Sequence, residues 1–206
     1  MFKCKDNMLE IKVYSDYVCP YCFFGEQVLE KALKGIEGQV QVEWMPFELR
    51  PHPTPTLEPE GDYLQTTWEN SVYQMARQLG IDIVLPKVSP QPYTHLSFEG
   101  YQYAKEKGKG EAYTHRMFTA FFQEEQDIGN IDVLTRLAGE VGLNQEEFRQ
   151  ALETRRYKEV HQQALRHAYK EMGVQAVPTF IIGNKLVRGL LREEDLRKVI
   201  QQELEV

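Results

Sequence analysis

A short alternating segment runs almost directly into a cysteine pair, and that junction constrains the fold more than any other feature of the chain. Leu9-Glu-Ile-Lys-Val-Tyr-Ser15 alternates apolar and polar side chains at period two, the pattern of a half-buried strand. Cys19-Pro20-Tyr21-Cys22 comes next. Phe24, Val28, Leu29, Ala32, Leu33 and Ile36 then recur at helical spacing, and Gly35 and Gly38 mark the helix end. Residues Val40 to Leu49 read as a second strand. The opening is therefore a βαβ unit, with a right-handed crossover and parallel strands expected.

This arrangement predicts chemistry at the first cysteine. A strand that delivers Cys19 to the first helical turn sets its sulfur near unsatisfied backbone N–H groups and the positive end of the helix dipole, and both favour thiolate over thiol. Pro20 suits the first helical position, where a missing N–H costs nothing. Cys22 lies within disulfide reach but deeper in the helix, so Cys19 is expected to be the nucleophile and Cys22 the resolving thiol. Pro20 and Tyr21 add no charge, and they shape how the amides and a substrate meet the first sulfur.

A C-x-x-C pair can also be half of a zinc site. Its candidate partners, His161 and His167, are six residues apart on an expected helix, which turns them about 120° away from each other. No metal or other cofactor is expected at the pair, although glutathione could serve as a thiol substrate.

Beyond Arg50, Pro51, Pro53, Pro55 and Pro59 predict an extended connection, and a helical block follows. Trp68, Val72, Met75, Ala76 and Leu79 fit one helical face, and Ile131, Leu134, Leu137, Ala138 and Val141 another. Tyr157, Val160, Ala164, Ala168 and Met172 fit a third, and residues 94–123 supply two more helices. Strand character returns at Val177-Pro178-Thr-Phe-Ile-Ile182, Gly183-Asn184 signals a hairpin into Lys185–Arg188, and an amphipathic helix closes the chain. Pro178 suits either an ordinary strand start or a cis bend beside the cysteines. The predicted organisation is an α/β fold split in sequence: residues 1–61 as βαβ, 62–172 as a helical insertion, and 173–206 as ββα.

The formal net charge of −7 disfavours polyanions, so no nucleic-acid partner is expected. No run of about 18 apolar residues is present to span a membrane. Residues 1–10 lack an export signal, which leads us to expect a cytoplasmic protein. With three cysteines, redox chemistry is favoured there over a structural disulfide framework, and Cys4 reads as incidental.

Three segments in order, Ser15-Asp-Tyr-Val-Cys-Pro-Tyr-Cys-Phe-Phe-Gly25, Met45-Pro-Phe-Glu-Leu-Arg-Pro51 and Gly173-Val-Gln-Ala-Val-Pro-Thr-Phe-Ile-Ile182, resemble the DsbA-like oxidoreductases, most closely the cytosolic FrnE-type branch. The resemblance implies a thioredoxin-like fold with a large all-helical insertion domain, a redox pair Cys19 and Cys22, and a cis Pro178 whose neighbour Val177 offers its backbone to substrate. It implies a protein or small-molecule thiol or disulfide substrate and a recycling thiol reductant or oxidant, for a monomer or homodimer. The same superfamily holds glutathione-using isomerases and kappa-class transferases, which typically carry serine where this chain has its cysteine pair. Glu48, in the second matched segment, is expected either to take a proton from Cys22 or to sit on the rim beside Arg50.

Overall fold

The computed structural model describes residues 8–206; Cys4 lies outside them. Four strands form one mixed sheet in the order β2-β1-β3-β4. Strand β1 (Leu9–Ser15) runs parallel to β2 (Val40–Pro46), with Leu9 opposite Val40 and Ser15 opposite Pro46. Its other edge pairs antiparallel with β3 (Thr179–Ile182), which turns back into β4 (Lys185–Arg188). Gly183 makes that two-residue turn with a φ of +54°, a backbone angle that glycine adopts without a Cβ clash.

Helix α1 (Pro20–Leu33) connects β1 to β2 and packs on the closing helix α9 (Glu193–Leu204). Between β2 and β3 lie α2 (Asp62–Thr67), α3 (Tyr73–Leu79), α4 (His95–Glu106), α5 (Gly110–Phe122), α6 (Ile131–Glu140), α7 (Gln145–Glu153) and α8 (Lys158–Arg166). Wider π-helical turns at Trp68–Val72 and His167–Glu171 join α2 to α3 and extend α8.

The expected half-buried β1 is buried on both faces at its C-terminal end. Ile11 and Val13 face the main core, while Tyr14 packs on the opposite side against Phe47 and Ala168. Tyr14 and His167 Nε2 are hydrogen-bonded at 3.1 Å, which ties the π-helical turn after α8 to this face. The stripe expected along residues 157–172 is therefore turned. His161 and Ala168 point inward, whereas Val160 and Met172 are exposed. The polar partner of His161, described below, and the wider π turn set a phase that apolar spacing alone misassigns.

Aromatic rings join the sheet and the helical block. Phe23 on α1 stacks on Phe118 and Phe122 of α5, with centroids 5.8 and 5.7 Å apart. Tyr17, just before the cysteine pair, stacks on Phe98 of α4 at 4.6 Å and shares a 3.2 Å hydrogen bond with Thr114 of α5. Such contacts add about 0.5–1.5 kcal/mol each beyond their buried area. The cysteine segment is thus held on both flanks by the insertion.

Candidate active site at the start of helix α1

Cys19 occupies the position just before α1 with extended φ and ψ of −92° and 114°, and Pro20 opens the helix. The Cys19 N–H donates to Asp16 O at 3.1 Å, and the Cys19 carbonyl accepts from the Cys22 and Phe23 amides at 3.1 and 3.2 Å. These bonds close a tight turn that brings Cys19 and Cys22 within 3.3 Å of each other, both as free thiols. The sequence reading sets the Cys19 sulfur beside first-turn amides, but its side chain makes no such capping bond. Its hydrogen-bond partner is the Val177 carbonyl, 3.8 Å away. Cys19 is 5% exposed and Cys22 1%, so the first sulfur is only slightly the more accessible.

The Val177–Pro178 peptide is cis, and Pro178 is buried against α1. Gly25 makes that approach possible: a Cβ there would lie 3.3 Å from both Pro178 Cγ and Phe180 Cζ. Tyr21, expected to meet substrate, sends its hydroxyl to Ser71 of the insertion and sets its ring edge-on to Phe24 at 6.1 Å.

Glu48 does not sit on the rim. It is buried and accepts from His161 Nε2 at 2.5 Å, while its backbone carbonyl accepts from the Tyr169 hydroxyl at 2.6 Å. Arg50 instead donates to the Pro55 carbonyl. His161 stacks on Phe98, and His167 bonds Tyr14 and Glu171, so the two histidines weighed as zinc ligands serve separate contacts.

The acid whose backbone bonds both cysteines and whose charge reaches Cys22 is one that the sequence reading passed over. Asp16 is fully buried; its Oδ2 accepts from the Leu49 N–H and its Oδ1 from the Thr94 hydroxyl, each at 2.8 Å. Burial, reinforced by the charge of Glu48, pushes its carboxyl up to about 7 against the pull of those hydrogen bonds. Burial also pushes the Cys22 thiol well above its ordinary value, as do contact with Cys19 and the charge of Asp16, while a hydrogen bond from the Asp16 backbone works the other way. The signal available beforehand was an acid three residues before Cys19, at the point where a strand dives into the core.

Residues 10–201 match the model of the DSBA-like thioredoxin domain. The chain belongs to that family. This DsbA-like chain is 54% identical over 196 residues to the uncharacterized protein YwbO of Bacillus subtilis (strain 168), covering 95% of this chain and 97% of that one. Among solved structures it is similar to a probable DsbA oxidoreductase, SCO1869 from Streptomyces coelicolor, with a TM-score of 0.80 and 23% identity over 96% of this chain and 90% of that one. It is also similar to the cytosolic disulfide reductase DsbM from Pseudomonas aeruginosa, solved with GSH, with a TM-score of 0.75 and 19% identity over 96% of this chain and all of that one. The fold is the α/β, thioredoxin-like one with a helical insertion expected from the sequence. Among the described residues no helix is long and apolar enough to cross a membrane.

Proposed function

We propose that this DsbA-like protein is a thiol-disulfide oxidoreductase working through Cys19 and Cys22. The observation that carries the reading is the pair of free thiols held 3.3 Å apart at the start of a helix, with the Val177 carbonyl against the first sulfur. In the reductive direction, Cys19 as thiolate attacks a substrate disulfide, forms a mixed disulfide and expels one substrate thiolate. Cys22, after losing its proton, attacks Cys19 Sγ and expels the second. The substrate gains two electrons and the chain is left with a Cys19–Cys22 disulfide; the oxidative direction is the reverse. A second thiol or disulfide must then restore the starting state.

The raised proton affinity of Cys22 makes resolution the step that needs a base. Asp16 is suited to it, because a carboxyl that titrates near pH 7 is partly ionised under working conditions and can take a proton. This reading assigns to Asp16 the role expected of Glu48. Glutathione is a candidate small substrate, since DsbM was solved with GSH, and that protein's cytosolic setting supports a cytoplasmic role here. The finer assignment to the FrnE-type branch rests on the three ordered segments alone.

Cys22→Ser tests the function. Incubated with a disulfide substrate, it should accumulate a mixed disulfide at Cys19, whereas Cys19→Ser should accumulate none. A Cys22→Ser enzyme that turns over glutathione-dependent isomerisation or transfer undiminished would replace this reading with the glutathione-using class.

A further inference from the structure

We propose that Glu26, Glu30 and His115 form a binding site for a divalent d-block ion, joining the redox helix to the helical insertion. One ligand atom from each residue lies within 4.8 Å of the other two. Glu26 and Glu30 are four apart on α1 and share a face, and His115 reaches them from α5, 89 positions away in sequence. His115 Nδ1 donates to Glu26 Oε1 at 2.8 Å, close to the spacing of two ligands on one ion, and exposed Glu30 is free to turn toward them.

A second observation points to a cation. Glu26 is 8% exposed, and a carboxylate that deep ordinarily has a full positive partner. Buried Glu99 has one, since Arg155 grips both of its oxygens. Among the described residues Glu26 has no lysine or arginine in ion-pair reach: one oxygen accepts from half-exposed His115, its only ionic partner, and the other from the neutral Gln27 amide at 2.7 Å, which carries no compensating charge. It borders an open cavity of about 730 Å³ between α1, β2 and α5, whose lining adds Glu30, Glu37 and Glu111 and includes no lysine or arginine.

The donor set selects the ion. Two carboxylate oxygens and one imidazole nitrogen suit Zn²⁺ or Mn²⁺, whereas Mg²⁺ and Ca²⁺ prefer oxygen alone. Binding requires a free Nδ1 lone pair, so the proton now shared with Glu26 must leave. His115 faces Glu26 and Glu30 on α1 and has Arg116 beside it on its own helix; its hydrogen bond to Glu26, with the charges of both acids, holds its proton more tightly against partial burial and Arg116. Zinc affinity should therefore fall as pH drops.

The test is calorimetric titration of Zn²⁺ into tag-free full chain carrying Cys4→Ser, Cys19→Ser and Cys22→Ser, so that thiols take no metal. One Zn²⁺ per chain is expected, bound more weakly at pH 6 than at pH 7.5 and not displaced by excess Mg²⁺. His115→Ala and Glu30→Gln, both at exposed positions, should each weaken binding at least about tenfold and abolish the zinc-dependent rise in melting temperature. Circular dichroism checks that each is folded, and either variant alone decides the matter. No zinc binding to the serine parent, or unchanged affinity in either folded variant, would overturn the proposal.

Discussion

Asp16 joins three segments through one carboxyl group, and its titration gives the site a pH dependence. It holds its proton more tightly folded, at about 7, than unfolded, at 3.8. Its stabilising contribution is therefore complete below 3.8, declines between those values and is gone above the higher one, with a slope of at most about 1.4 kcal/mol per pH unit. Asp16→Asn keeps both hydrogen bonds, since an amide oxygen can accept from Leu49 and an amide nitrogen can donate to Thr94. Urea denaturation at pH 5 and pH 8 should show the variant losing less stability than the parent on going to the higher pH. The same variant should slow resolution of a mixed disulfide while leaving its formation by Cys19 unchanged, a difference that stopped-flow mixing can separate. Equal resolution rates in variant and parent would remove Asp16 from the proton path. Sequence alone revealed the two cysteines because their chemistry is local. It passed over Asp16 and left Glu48 open between a proton acceptor and a rim position, because an acid's surroundings depend on Leu49, Thr94 and His161, which reach it from distant parts of the chain.

At the level of elements, local signals served well where one face of a segment meets one neighbour. Strand β1 begins and ends where its alternation does. Helix α7 was passed over, although Asn144 caps it by accepting from the Glu147 N–H at 3.0 Å, and asparagine followed three residues later by glutamate was visible beforehand. The turned phase around α8 was less accessible, since it depends on a buried polar pair that apolar spacing does not report. Close packing inside the insertion gives a direct test. A Cβ on Gly100 of α4 would meet Tyr113 Oη and would lie 2.7 Å from Phe148 Cζ, both on fully buried rings. Gly100→Ala gains about 1 kcal/mol of helix propensity, against an overpacking penalty of about 1–3 kcal/mol. A net loss of up to about 2 kcal/mol is expected in urea unfolding, and a more stable variant would mean that α4 and α7 are less tightly packed than described.

Across the whole molecule, the aromatic contacts make the sheet and the insertion one unit. Trp44 of β2 meets Phe118 edge-on at 6.2 Å, and Trp68 in the helical block lies 5.9 Å from Phe122. Thermal unfolding followed by tryptophan fluorescence and by far-ultraviolet circular dichroism should therefore give coincident single transitions. Two separated transitions would show the insertion unfolding independently. The basic run at Lys105–Lys109 is partly engaged in ion pairs, Lys105 with Glu43 and Lys107 with Glu147. The order βαβ, helices, ββα was readable because each unit carries its own periodicity, whereas no local signal reports the pairing of β1 with β3 across more than a hundred residues. The central claim is that Cys19 and Cys22 exchange electrons as a pair. Peptide mapping of the Cys4→Ser chain after exposure to oxidised glutathione tests it most directly. The account predicts an intramolecular Cys19–Cys22 disulfide that a dithiol reverses; a stable glutathione adduct on Cys19 with Cys22 still free would contradict it.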